Sequence, residues 1–207
     1  MTAVFTDTEN KILAAARTVF LRKGLDGARM QEIADEAGIN KALLHYYFRN
    51  KEKLFRAILK MTFTKAFPDV MDIMESGLPV HDKIEAFIRK YTDILRNEPF
   101  LPGFMLREIQ RDPSGVLLIL KESGMNPSLV TRQFQKEMDA GNIRCMNPDE
   151  LMINIISLTV FPFAMAPLAG EMFFRGDTEK YASFLEQRKK SIAEFVWLAI
   201  TPARKNE

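Results

Sequence analysis

Between residues 39 and 60 the chain carries six cations, Lys41, Arg49, Lys51, Lys53, Arg56 and Lys60, against one acid, Glu52. His45, Tyr46 and Tyr47 stand among them. Such groups donate hydrogen bonds and positive charge to anions, so the chemistry on offer is recognition of a row of phosphates. Residues 1–60 hold 11 Lys/Arg against 7 Asp/Glu, whereas the rest of the chain holds 18 against 20. The whole chain of 207 residues has a formal charge of only +2, so the distribution rather than the total carries the signal. Charge alone fits a solvated basic face equally well.

Bond-making chemistry is poorly provided for. The histidines are His45 and His81, and the one cysteine is Cys145. No metal-ligand cluster, glycine-rich phosphate loop or nucleophile motif is present in the sequence. An enzyme is therefore not expected, and neither are catalytic residues, a metal or a cofactor. Cys145 follows Arg144, but a lone thiol is expected to be inert rather than a redox sensor. A single cysteine permits no intrachain disulfide, which fits a reducing compartment.

The elements that must position the basic stretch read as helices. Apolar residues recur at helical spacing and no strand alternation stands out, so the expected class is all-α. Thr6-Asp7-Thr8-Glu9 forms a capping box that opens a first helix. Ile12, Ala16, Val19 and Phe20 share one face of it, and Gly24 behind Arg22-Lys23 supplies a left-handed stop. Residues 30–37 read as a second helix with Ile33, Ala34 and Ala37 inward. Gly38-Ile39-Asn40 is a tight connection in which Gly38 takes a positive φ and Asn40 caps a third helix running through Phe48. Leu44 and Phe48 face inward there. Lys41, Ala42, His45, Tyr46 and Arg49 are left on the outside. Asn50 caps a fourth helix from 51 to about 67, which Pro68 is expected to kink or end. Further helices are expected at 80–97, 99–111, 113–122, 127–140, 148–169 and 177–200.

A helix, a glycine turn and a second short helix with a small, cationic outer face suit the major groove of DNA. Ala42 is small enough to let the helix enter, and Lys41 reaches a base or a phosphate. His45 and Tyr46 lie one turn later, where a rising helix meets backbone phosphates. Lys51 adds charge at the N-terminus of the next helix, itself favourable for an anion. A histidine gains its proton in the range around neutrality, so operator affinity is expected to rise modestly as pH falls.

The head resembles that of the TetR family of bacterial regulators. The matching residues are Phe20-x-x-x-Gly24, Ile33-Ala34, Ala37-Gly38-Ile39, Leu44-His45-Tyr46-Tyr47-Phe48 and Lys51-x-x-Leu54, spread over about 8–56. The resemblance implies a three-helix helix-turn-helix head, 1–50, joined to a larger helical ligand-binding and dimerisation domain, 51–207. It implies phosphate contacts around Arg29 and Gln31, base or phosphate contacts from Asn40, Lys41, Ala42, Leu43, His45 and Tyr46, and a phosphate contact from Lys51. Two positions depart from the family's habit: Arg29 stands where Ser or Thr is usual, and His45 where Tyr is. Arg29 brings more charge with less fixed geometry.

The remainder is rich in Phe and Met, suited either to core packing or to an adaptable apolar pocket. Phe63, Phe67, Tyr91, Phe104, Arg107, Asn154, Ser157 and Phe161 are the candidate pocket residues, and the expected effector is small and apolar or amphipathic. The apolar helices at about 148–169 and 177–200 have more apolar surface than one core can cover, so a homodimer through them is expected. Double-stranded DNA with a near-palindromic operator follows as the partner, and repression is what the family implies. A membrane is not expected. The stretch 153–169 is short for a span and holds Pro162 and Pro167, and the first residues lack a targeting pattern, so a cytoplasmic location is expected. A non-specific DNA coat is the rival reading, and a single short basic patch speaks against it.

Overall fold

The computed structural model describes residues 6–99 and 101–202. Among them the chain is helical without a strand. In chain order the helices are α1 (Asp7–Gly27), α2 (Met30–Glu36), α3 (Lys41–Tyr47), α4 (Lys51–Glu75), α5 (Val80–Asn97), α6 (Leu101–Arg111), α7 (Pro113–Glu122), α8 (Pro127–Asp139), α9 (Pro148–Ala164), α10 (Ala166–Phe174) and α11 (Thr178–Ile200). Packing groups them into two compact units, one of residues 1–68 with 98–125, the other of 69–97 with 126–207. The division falls inside α4, at Pro68. The sequence places a boundary at residue 50, whereas packing groups α4 through Pro68, with α6 and α7, together with the head.

Local chemistry sets the ends of the helices. Thr6 Oγ1 accepts the Glu9 N–H at 3.3 Å, while Glu9 Oε2 accepts the Thr6 N–H at 2.8 Å, which is the expected capping box. Gly24 takes φ 68°, and one further helical turn runs on to Gly27. Asn50 Oδ1 accepts the Lys53 N–H at 2.9 Å at the start of α4. Pro68 neither ends nor breaks this helix, which runs on to Glu75. That corrects the end expected near 67: one missing N–H does not outweigh the burial of Val70 and Met74 beyond it.

In the first unit Ile12, Val19, Phe20, Ile33, Leu44, Leu54, Phe55 and Ile58 are buried to 1% exposure or less. Phe55 joins the layers, 5.6 Å from the Phe20 ring and stacked on Phe104. A polar seam runs beside this core along α4. Arg56 donates to Glu108 and Asp112, Lys60 pairs with Glu122, and the Thr64 hydroxyl donates to Ser123. These three α4 residues are four apart, so one face of the helix tracks α7 from its N-cap, Asp112, to its C-cap, Ser123.

In the second unit α5 is strongly amphipathic: Val80, Ile84, Ile88, Thr92 and Leu95 recur at three- and four-residue steps and are buried. With Phe134, Leu151, Ile155, Ile192 and Val196 most of them form one apolar cluster. The single helix expected at 148–169 is two, α9 and α10, bent by 76° at Met165. α9 runs past Pro162 to Ala164, and Pro167, which also lacks an N–H, stands in the first turn of α10, so the ladder breaks between the two prolines. Among the described residues no single helix is long and apolar enough to cross a membrane; this bent pair meets the length and composition only when both parts are joined.

Candidate nucleic-acid interface

The turn between α2 and α3 is fixed by backbone hydrogen bonds. Gly38, at φ 66°, donates to the Asp35 carbonyl at 3.1 Å, and Ile39 donates to the Ala34 carbonyl at 3.0 Å. This pair of bonds closes a helix whose next residue must be left-handed, which is why glycine stands there. Two residues on, Asn40 Oδ1 accepts the Leu43 N–H at 2.8 Å and starts α3. Exposed ion pairs link α1 to α2, Arg22 with Glu36 at 3.2 Å and Lys23 with Glu32 at 2.7 Å. They add little energy but take Arg22 and Lys23 out of the set available to an anion.

α3 is oriented by Leu44, fully buried, and by Phe48, 7% exposed, just beyond it. The opposite face is open: Lys41, Ala42, Leu43, His45, Tyr46 and Arg49 are all exposed, Tyr46 at 80%. Tyr47 is half-buried and meets the Tyr46 ring edge-on at 5.2 Å, which braces it outward. His45 Nδ1 lies 3.1 Å from the Arg49 carbonyl. That contact suits a ring proton on Nδ1, leaving Nε2 of the neutral ring as an acceptor only. The cationic ring carries a proton on Nε2 as well and becomes a donor to phosphate. His45→Phe removes both ring nitrogens and is expected to weaken operator binding. Fluorescence titration of a labelled operator checks this, and an unchanged affinity in His45→Phe refutes it.

The remaining sequence-derived candidates divide. Arg29 is exposed at the N-cap of α2, and Asn40 keeps its amide N–H groups while its oxygen caps α3. The Gln31 amide instead donates to Asp35 at 2.7 Å. Lys51 turns back, its ammonium donating to the Leu25 and Asp26 carbonyls at 2.9 and 3.2 Å. Lys51 thus ties the start of α4 to the end of α1, and one N–H remains for an anion. Arg49 and Lys53 are exposed cations near α3, outside the set of contacts that the family resemblance implies. The four-residue spacing of Arg49 from His45 was the available signal.

The pocket candidates are divided between the two units. Phe63 and Phe67, stacked at 4.6 Å, and Phe104 are buried in the first unit. Arg107 is exposed and bound to Asp26 at 2.8 Å, whose carboxyl it holds below the usual carboxylate range. Tyr91 belongs to the second unit, where it packs on Phe87, and burial pushes its hydroxyl up to about 12. Asn154, Ser157 and Phe161 are exposed. α9 buries Leu151, Ile155, Thr159 and Phe163 at four-residue steps, so the residues between these point outward. These three and Arg107 thus present their side chains outward.

Known proteins share this arrangement. The family "Bacterial regulatory proteins, tetR family" matches residues 12–58, which hold α1 through α3 and the start of α4. The HTH-type transcriptional regulator RutR of Escherichia coli K12 is 33% identical over 195 residues, covering 92% of this chain and 89% of its own. The probable HTH-type transcriptional regulator YttP of Bacillus subtilis is 23% identical and covers 84% of this chain and 86% of its own. In fold, FadR of Bacillus subtilis, solved in complex with stearoyl-CoA, superposes with a TM-score of 0.69 at 16% identity, over 90% of this chain and 96% of that one. A family signature lying on the helix-turn-helix, and a relative that keeps a third of its residues over nearly full length, lead to one assignment: the chain belongs to the TetR family of bacterial transcriptional regulators, DNA-binding proteins with a helix-turn-helix head.

Proposed function

We propose that the chain is a cytoplasmic homodimeric repressor that leaves a near-palindromic operator when a small apolar or amphipathic effector binds. The observation that carries the DNA half is the outer face of α3, where Lys41, Ala42, His45 and Tyr46 are exposed on a helix fixed from behind by Leu44 and Phe48. In this reading Lys41, Ala42 and Leu43 meet base edges at the N-terminal end of the recognition helix. Arg29, Asn40, His45, Tyr46 and Arg49 meet phosphates and set the register. Gln31 and Lys51 play a lesser part, since Asp35 and two carbonyls already hold them.

The dimer half rests on exposed apolar residues. Ile153 and Phe161 on α9, and Phe195 and Leu198 on α11, are each more than half exposed. A second copy that covers them sets two recognition helices about one DNA turn apart, ~34–36 Å, or a somewhat longer step. The effector rests on the family habit, and FadR, of the same fold, is solved with an amphipathic ligand, stearoyl-CoA. An effector releases the operator only if it binds the DNA-incompetent arrangement more tightly.

Selection of bound duplexes from random DNA by the full-length chain tests this function, with and without long-chain acyl-CoA. A two-fold-related sequence is expected to be enriched, and acyl-CoA is expected to lower its recovery. Recovery of unrelated sequences with no shared half-site would overturn the operator reading.

A further inference from the structure

Lys83, on α5, is held at the end of α4. Its ammonium donates to the Met74 carbonyl at 2.7 Å, one of the last carbonyls of that helix, and to Gln133 Oε1 on α8 at 3.2 Å. An ammonium only donates, so the Gln133 oxygen must face it and the amide nitrogen is turned away. One Lys83 N–H and both N–H groups of the Gln133 amide are left over, and among the described residues no acceptor meets them. Half-buried donors of this kind call for an acceptor.

These groups line a hollow of about 210 Å³ whose residues all belong to the second unit. Met74, Val80 and Phe134, all buried, give it an apolar floor. At the rim Glu75 and Lys136 are exposed, and among the described residues neither side chain makes an ion pair or a hydrogen bond. Glu137 adds a second carboxylate, one oxygen of which holds the Asn142 amide at 2.7 Å while the other is left. The lining thus sets two cations and two anions around apolar surface, with no net charge. A lone anion gains two lysines but meets two carboxylates, a lone cation meets the reverse, and a purely apolar molecule buries donors without acceptors. A molecule with both a carboxylate and an ammonium on a short apolar body satisfies every group. The volume equals about seven waters' share of the liquid, too little for a long-chain acyl-CoA.

We infer that this hollow is a binding site for a free amino acid with an apolar side chain. The two lysines and Gln133 take its carboxylate, the two glutamates take its ammonium, and its side chain lies on the apolar floor. Such a ligand bridges the last turn of α4 to α5 and α8, and so stabilises that arrangement. The inference goes beyond the operator reading and does not rest on it, because every group it uses lies outside the helix-turn-helix head.

Isothermal titration calorimetry of the full chain with L-leucine tests it. A dissociation constant of about 1 mM or tighter is expected. Isocaproate, which lacks the ammonium, leucinamide, which lacks the carboxylate, and inorganic phosphate are each expected to bind at least about 10-fold more weakly. Glu75→Gln/Lys136→Gln changes two exposed side chains that hold nothing else among the described residues, so the variant should keep its wild-type unfolding midpoint. Its affinity for L-leucine is expected to fall about 10-fold. No leucine binding at about 10 mM overturns the inference, and so does binding of isocaproate or phosphate as tight as that of leucine. Wild-type leucine affinity in the folded double variant overturns it too, since the amino acid then sits elsewhere on the chain.

Discussion

Leu44→Ala is expected to lower the stability of the head by about 3 kcal/mol, within the range measured for large-to-small changes in well-packed cores. Leu44 is fully buried and is the one buried residue within α3. Its loss removes transfer energy and leaves a cavity that a seven-residue helix cannot close by shifting. Short helices have little stability of their own, so α3 is held by this contact and by the Asn40 cap. Urea unfolding followed by circular dichroism checks it. Operator affinity falls in step with the folded fraction, and Leu44→Met, close in volume, is expected to cost less than about 1.5 kcal/mol. Equal denaturation midpoints for Leu44→Ala and wild type would contradict the packing described here.

Arg56→Ala is expected to have the next largest effect, a destabilisation of about 2 kcal/mol read from the same curves. Arg56 holds two carboxylates, Glu108 at 3.0 Å and Asp112 at 2.7 Å. Glu108 is 3% exposed, so losing a partner strands a charge away from water. Arg111, at 2.7 Å, stays behind and keeps the loss below that of a fully orphaned buried charge. Asp112 adds a pH signature. The Arg56 guanidinium and the Gly115 N–H beside it hold its carboxyl below the usual range. A carboxyl depressed in the folded state contributes stability above its unfolded pKa, near 3.9, and loses that contribution as pH falls through the lower folded value. Wild type should therefore lose stability on acidification below about pH 4 more steeply than Arg56→Ala. Parallel acid limbs would assign the Asp112 shift to the helix cap alone.

The head was legible in the sequence because its determinants are local. Thr6 and Glu9, Gly38, Asn40 and Asn50 act within three to five residues of themselves, and each cap and turn forms where those residue types require it. The outer face of α3 followed from the same periodicity. Contacts between distant segments were not legible. Nothing near Arg56 announces that Glu108, 52 residues away, will bury against it. Nothing in the sequence about Lys51 reveals that the end of α1 presents two carbonyls to it. The exposure of several pocket candidates was illegible for a related reason. Asn154, Ser157 and Phe161 share an apolar helix with the core residues, and residue type alone does not tell which side of a helix rich in apolar residues faces inward. Pro68 and Pro162 show that one missing N–H is too weak a signal by itself. α4 runs past its proline because Val70 and Met74 are buried beyond it, whereas 148–169 breaks because a second proline follows five residues later.

The central claim is that the exposed face of α3 reads DNA, and one titration tests it most directly. The selected duplex is titrated with wild type and with Lys41→Ala/Tyr46→Ala, at one fixed salt concentration near 0.15 M. Both side chains are exposed, so the variant should keep its helix content and unfolding midpoint. If Lys41 and Tyr46 touch the duplex, their joint removal should weaken binding by about 10-fold or more. An equal affinity for that duplex in a fully folded variant would contradict the claim.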